Sequence, residues 1–143
     1  MQAETFPGTL DALEPLRKYV TSAAESAGLD HSKVYGLCLA VDEIATNIVL
    51  HGYEEAGLTG DLTVTASVEP DRLVIDLRDQ GKSYDPNFHA MPDPDALSLP
   101  LEDRSMGGLG ILLAKDSVDD LQYTVTDRGN IHRFIVLRPS RPS

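Results

Sequence analysis

The run VYGLCLAVDEIATNIVLHGY, residues 34–53, constrains this chain more than any other stretch. Val34, Leu37, Val41, Ile44, Ala45 and Ile48 recur at helical spacing and form one apolar face. Glu43, Asn47 and His51 stand four apart, so they share a second stripe, a polar seam on the same helix. Such a helix covers a core with one side and turns the seam elsewhere. Asp30 is placed to cap its N-terminus, and the spacing predicts that it runs to about His51, before Gly52. Read alone, the seam is most simply the solvated edge of an ordinary helix; the rest of the chain has to decide.

An earlier helix is predicted over LDALEPLRKYVTSAAESAG, closing at Gly28, with Leu10, Leu13, Leu16, Val20 and Ala24 on its apolar side. Pro15 falls near its first turn, where proline is tolerated. Two alternating, β-rich runs follow at 62–68 and 72–79, joined by a Glu69-Pro70-Asp71 turn. A second hairpin is expected from 121–127 and 131–137 around Arg128-Gly129-Asn130. At the N-terminus, a strand spans at most Thr5–Thr9. Between the hairpins, residues 80–106 carry four prolines and little periodicity. A loop of that length inside a compact domain is usually functional or disordered. GGLGILLAKDSV then reads as a glycine-rich turn opening a short helix. The order α, α, β, β, loop, α, β, β predicts an α+β fold, a two-layer α/β sandwich with helices covering one face of a mainly antiparallel sheet.

The chain has 143 residues, the size of one domain, and its 41% hydrophobic content is enough for one core. We read residues 1–143 as that single domain. A net charge of −11 lacks the basic footprint of a nucleic-acid binder, so no direct DNA or RNA contact is expected. No run approaches the roughly 18 apolar residues of a membrane span, and MQAETFPGTLDAL lacks the regions of a signal peptide. A cytoplasmic location away from membranes is the default expectation. The single cysteine, Cys38, sits in an apolar helical run and reads as a buried, inert thiol. An anionic ligand of so acidic a chain needs local positive charge from backbone N–H groups, a metal or placed cations.

Three elements bear on the polar seam. Asp79 ends a strand with Gly81 two residues on; a carboxylate there can accept a hydrogen bond from an exocyclic amino group such as adenine's, and glycine lets the backbone approach a flat ring. Gly107, Gly108, Leu109 and Gly110 precede a helix, and their N–H groups could cradle phosphates. The irregular segment between them could close over a ligand as a lid, with Arg104 in reach of a phosphate. Each signal is weak alone. His31, His89 and His132 form no metal-ligand spacing.

Their order and spacing are more specific. EIATNIVLHGY, DQGKSYDP and RSMGGLGILLAK together resemble the N-box and the two glycine boxes of the stand-alone anti-sigma-factor serine/threonine kinases. These belong to the ATPase superfamily of gyrase, the large heat-shock chaperones and the sensor histidine kinases. The resemblance covers nearly the whole chain. It implies the histidine-kinase-like ATPase (Bergerat) sandwich, with ATP held between the helices and a lid at 80–106. By that resemblance Asp79 binds the adenine amino group and Gly81 lies near the base. Asn47 gives its amide oxygen to Mg²⁺, and Gly107 to Gly110 and Arg104 meet the phosphates. His51 approaches the phosphate side or serves as a helix cap. Glu43 orients or deprotonates the attacking hydroxyl. The implied partners are a sigma factor and an anti-anti-sigma protein. Family members are often homodimers, so a second copy of the chain is a further implied partner. The sequence departs from the pattern at Ser83, where a second glycine is common, and at Glu102 and Asp103, which place acid beside Arg104.

The favoured reading is therefore an ATP-dependent protein serine/threonine kinase that sequesters a sigma factor and phosphorylates its antagonist. A non-catalytic, nucleotide-gated binding module is the main alternative. A detached histidine-kinase ATPase domain and a plain ATP hydrolase are the others. The first helix carries no phosphoacceptor histidine, which weighs against the histidine-kinase form.

Overall fold

The computed structural model describes residues 2–82 and 117–138. The proposed lid beyond Lys82, Arg104, the Gly107–Gly110 turn and the short helix after it lie outside the described residues. The elements are β1 (Glu4–Pro7), a single 3₁₀ turn (Leu10–Ala12), α1 (Leu13–Ser26), α2 (His31–Asn47), π-helical turns (Ile48–Glu54), β2 (Asp61–Val68), β3 (Arg72–Asp79), β4 (Asp120–Thr126) and β5 (Gly129–Leu137). The five strands form one antiparallel sheet in the order β1-β2-β3-β5-β4. This is the expected α+β arrangement.

Local chemistry sets the helix ends. Gly28 adopts φ 76° after α1, and Leu29 N–H returns to the Ala24 carbonyl at 3.1 Å, satisfying one of the last carbonyls. Asp30 caps α2 as expected, its side chain accepting from Lys33 N–H at 2.8 Å. Alternate strand residues point inward: Leu62, Val64 and Ala66 from β2; Leu73, Ile75 and Leu77 from β3; Phe134 and Val136 from β5. They meet Leu16, Val20 and Ala23 of α1 and Leu37, Val41 and Ile44 of α2 in one buried cluster. Burying each large side chain there contributes about 1.5–3 kcal/mol.

Three expectations are corrected. First, the helical path expected to end near His51 does not stop before Gly52. It continues as π-helical turns to Glu54, closed by Glu55 N–H donating to the Leu50 carbonyl at 2.9 Å. Buried Tyr53 draws the chain onward, because its hydroxyl is held by Asp61 and Gln80. Second, the resulting helical stretch His31–Glu54 has 24 residues and a mean hydropathy of 1.3 in its most apolar window, long and apolar enough by composition to cross a membrane. A search for an unbroken apolar run overlooks it, because Asp42, Glu43 and Asn47 interrupt the run. Its buried side chains Leu37, Ala40, Val41 and Ile44 pack in the cluster with the sheet and α1, as those of a core helix do. Third, the β4–β5 loop is only Asp127-Arg128. Gly129 and Asn130 already belong to β5, opposite Thr126 and Val125. Gly129 has φ 130° and lies so close to the Asp79 carbonyl that a Cβ would collide with it.

Candidate active site

The inward face of the sheet is apolar along most of its length and turns polar at one end. There Asp79 pairs with Asn130 across the strands, and His132 pairs with Leu77. Asp79, Asn130 and His132 are all buried. A carboxylate is costly to bury without hydrogen bonds. Oδ1 of Asp79 accepts from Gly81 N–H at 2.8 Å and from Asn130 Nδ2 at 2.9 Å. Oδ2 is equally buried and has no hydrogen-bond partner among the described residues; His132 Nε2 stands 3.9 Å away. Burial pushes the Asp79 carboxyl above the ordinary range, and the bonds from Asn130 and Gly81 pull it partly back.

Asn130 ties this corner together. Its Nδ2 also donates to the Gly81 carbonyl at 3.0 Å, and its Oδ1 accepts from the Tyr123 hydroxyl at 3.0 Å. The Tyr123 ring stacks on His132 with centroids 4.9 Å apart. The turn after β3 is fastened to the π-helical turns. Lys82 N–H donates to the Gly52 carbonyl at 2.9 Å, and Gln80 N–H donates to the Tyr53 hydroxyl at 2.8 Å. A Cβ on Gly81 would stand 2.7 Å from the Gly52 carbonyl oxygen, so only glycine permits this approach.

Asn47 is the last residue of α2 before the π-helical turns. It is 1% exposed, and neither Oδ1 nor Nδ2 has a hydrogen-bond partner among the described residues. Native proteins rarely retain such a group without a use for it. An amide oxygen is a hard donor suited to Mg²⁺, so the buried Oδ1 fits that ion chemically. Glu43, one turn earlier, is half-buried. Burial first, and the charge of Asp42 second, push its carboxyl above the ordinary range. His51 sets Nδ1 2.7 Å from Glu55 Oε2, a pairing within the π-helical turns and their flank. Wider turns there carry the stripe read at α-helical spacing out of register after Asn47.

The structure thus brings Asp79 and Gly81 against the helix end that carries His51 and Gly52. Sequence reasoning missed Asn130, Tyr123 and His132. The signal for two of them is legible: Asn130 and His132 share the inward phase of Phe134 and Val136, so two polar residues break an otherwise apolar alternation.

The chain matches the family model described as the histidine kinase-like ATPase domain over residues 6–136. It is 30% identical over 119 residues to the serine-protein kinase RsbW of Halalkalibacterium halodurans, covering 82% of this chain and 72% of that one. It is 29% identical over 118 residues to RsbW of Bacillus cereus, with the same coverage. Among solved structures, RsbU and RsbW domains from Mycobacterium tuberculosis superpose with a TM-score of 0.59 at 16% identity, over all of this chain and 35% of that one. The histidine kinase domain of an Erythrobacter litoralis blue-light activated kinase gives 0.52 at 14% identity, over 83% and 57%. These two structures bear on the fold alone. With the family model running through almost every described element, from β1 to β5, the chain belongs to the histidine kinase-like ATPase domain family.

Proposed function

We propose that this protein is an ATP-dependent protein serine/threonine kinase acting as an anti-sigma regulatory factor. It binds a sigma factor and phosphorylates a serine or threonine of an anti-anti-sigma antagonist. The reading rests on the similarity to the RsbW serine-protein kinases. The observation that carries it is Asn47, a fully buried amide with no partner among the described residues, at the end of the helix whose π-helical continuation meets the Gly81 turn at Gly52.

In this reading Asp79 Oδ2 accepts from the exocyclic amino group of adenine, and the Gly81 turn lies against the base. Asn47 Oδ1 holds Mg²⁺, which when bound offsets phosphate charge. Gly107, Gly108, Leu109 and Gly110 give backbone donors to the phosphates, and Arg104 adds positive charge. Glu43 takes the proton of the substrate hydroxyl. A carboxyl raised by burial is a better base near neutral pH than an exposed one, and it sits one helical turn from the metal ligand. His51, which pairs with Glu55 in the π-helical turns, would approach the phosphates from that end or serve only to cap the helix. The site belongs to a cytoplasmic regulator with protein partners, including a second copy of the chain.

The test is capture of partners with and without Mg-ATP, then labelled phosphate transfer to each captured protein. Acid-stable label on a serine or threonine supports the kinase. Acid-labile label indicates a histidine-kinase-type domain instead. ATP-dependent capture without transfer leaves a nucleotide-gated binding module.

A further inference from the structure

We propose that Asn130 is the residue that selects adenine over guanine, by making Asp79 a one-oxygen acceptor. The inference rests on the reading of Asp79 as the base-binding carboxylate and names how that site chooses its base. Asp79 Oδ1 is committed twice, to Gly81 N–H at 2.8 Å and to Asn130 Nδ2 at 2.9 Å. A carboxylate oxygen has about two lone-pair sites, so Oδ1 is saturated. Oδ2 alone is left to accept, and it has no hydrogen-bond partner among the described residues.

The two purines ask for different things. Adenine presents one exocyclic amino group beside an acceptor ring nitrogen, and one carboxylate oxygen answers it. Guanine presents a ring N–H and an exocyclic amino group side by side, and a carboxylate binds that pair through both oxygens. With Oδ1 occupied, guanine leaves one of its donors unmatched in a buried corner, which is the costly case. Asn130 holds this state through three contacts. Its amide nitrogen faces two acceptors, Asp79 Oδ1 and the Gly81 carbonyl, so the donor end is fixed by chemistry. Its amide oxygen is pinned by the Tyr123 hydroxyl at 3.0 Å, which opposes a flip. Asn130 itself is a positioning residue; it acts on the base through Asp79.

The experiment is calorimetric titration of the full chain with Mg-ATP and with Mg-GTP, for wild type, Asn130→Ala, Tyr123→Phe and Asp79→Asn. Wild type is expected to prefer ATP. Asn130→Ala frees a lone pair on Oδ1, and the ATP/GTP affinity ratio falls by about tenfold or more, the worth of one charge-assisted hydrogen bond. Tyr123→Phe leaves Asn130 in place but unpinned, so the ratio moves the same way by less; it serves if the alanine variant does not fold. A structural role alone would weaken both nucleotides together and leave the ratio unchanged, and that result overturns the proposal. If Asp79→Asn leaves ATP affinity untouched, the base-binding reading of Asp79 fails and the proposal fails with it. If Asp79→Asn weakens ATP while Asn130→Ala and Tyr123→Phe keep the wild-type ratio, only the role of Asn130 is refuted.

Discussion

Replacing Asn47 by leucine separates stability from function at one position. The Asn47 side chain is 1% exposed, and its two polar atoms have no hydrogen-bond partners among the described residues. Each unsatisfied buried polar atom costs about 1–3 kcal/mol. Leucine keeps the branched shape and removes both. Its methyl groups are bulkier than the amide, and overpacking returns about 1–3 kcal/mol. The desolvation gain outweighs the strain, leaving a net stabilisation of roughly 1–3 kcal/mol. For a chain of this size that raises the melting temperature by roughly 5 °C. The same substitution removes the one oxygen assigned to Mg²⁺, so the Mg²⁺-dependent part of ATP affinity disappears. The assay pairs thermal and urea unfolding of the ligand-free protein with ATP titrations. A variant less stable than wild type would refute the orphaned-amide reasoning, and one that binds Mg-ATP normally would refute the functional assignment.

Other consequences follow from the same geometry. Glu43→Gln should leave Mg-ATP affinity near wild type while single-turnover phosphate transfer falls by on the order of 10²-fold or more; equal losses in binding and transfer would make Glu43 structural. Asp79 and Glu43 both hold their protons more tightly folded than unfolded, so folding stability should fall as pH rises from the ordinary carboxylate range through their raised values. Asp79→Asn should flatten that fall in urea unfolding followed against pH, and an unchanged slope would contradict the burial argument. Gly81→Ala should destabilise by about 1–3 kcal/mol, because its Cβ would meet the Gly52 carbonyl oxygen at 2.7 Å and backbone must move. Unfolding midpoints check this.

Much of this was legible in sequence, for identifiable reasons. The two described helices and both hairpins follow from periodicity of 3.6 and 2 with Gly28, Asp30 and Pro70 as punctuation. The polar seam was visible because Glu43 and Asn47 interrupt an apolar run. The π-helical continuation was not, because it is set by Tyr53 reaching Asp61 and Gln80, contacts that sequence spacing does not encode. The partners of Asp79 were hidden for the same reason: Asn130 lies 51 residues away and meets it only through the β3–β5 register. Reading Arg128-Gly129-Asn130 as a turn took Asn130 out of the strand and so out of the core.

The central claim is a magnesium-dependent adenine-nucleotide site built from Asn47 and Asp79. Its most direct test is calorimetric titration of ATP into the wild-type chain, Asn47→Leu and Asp79→Asn, each with and without Mg²⁺. The account predicts that wild type binds ATP more tightly with Mg²⁺, that Asn47→Leu loses the Mg²⁺ increment, and that Asp79→Asn weakens ATP binding in both conditions. Tight ATP binding that neither substitution alters would contradict it.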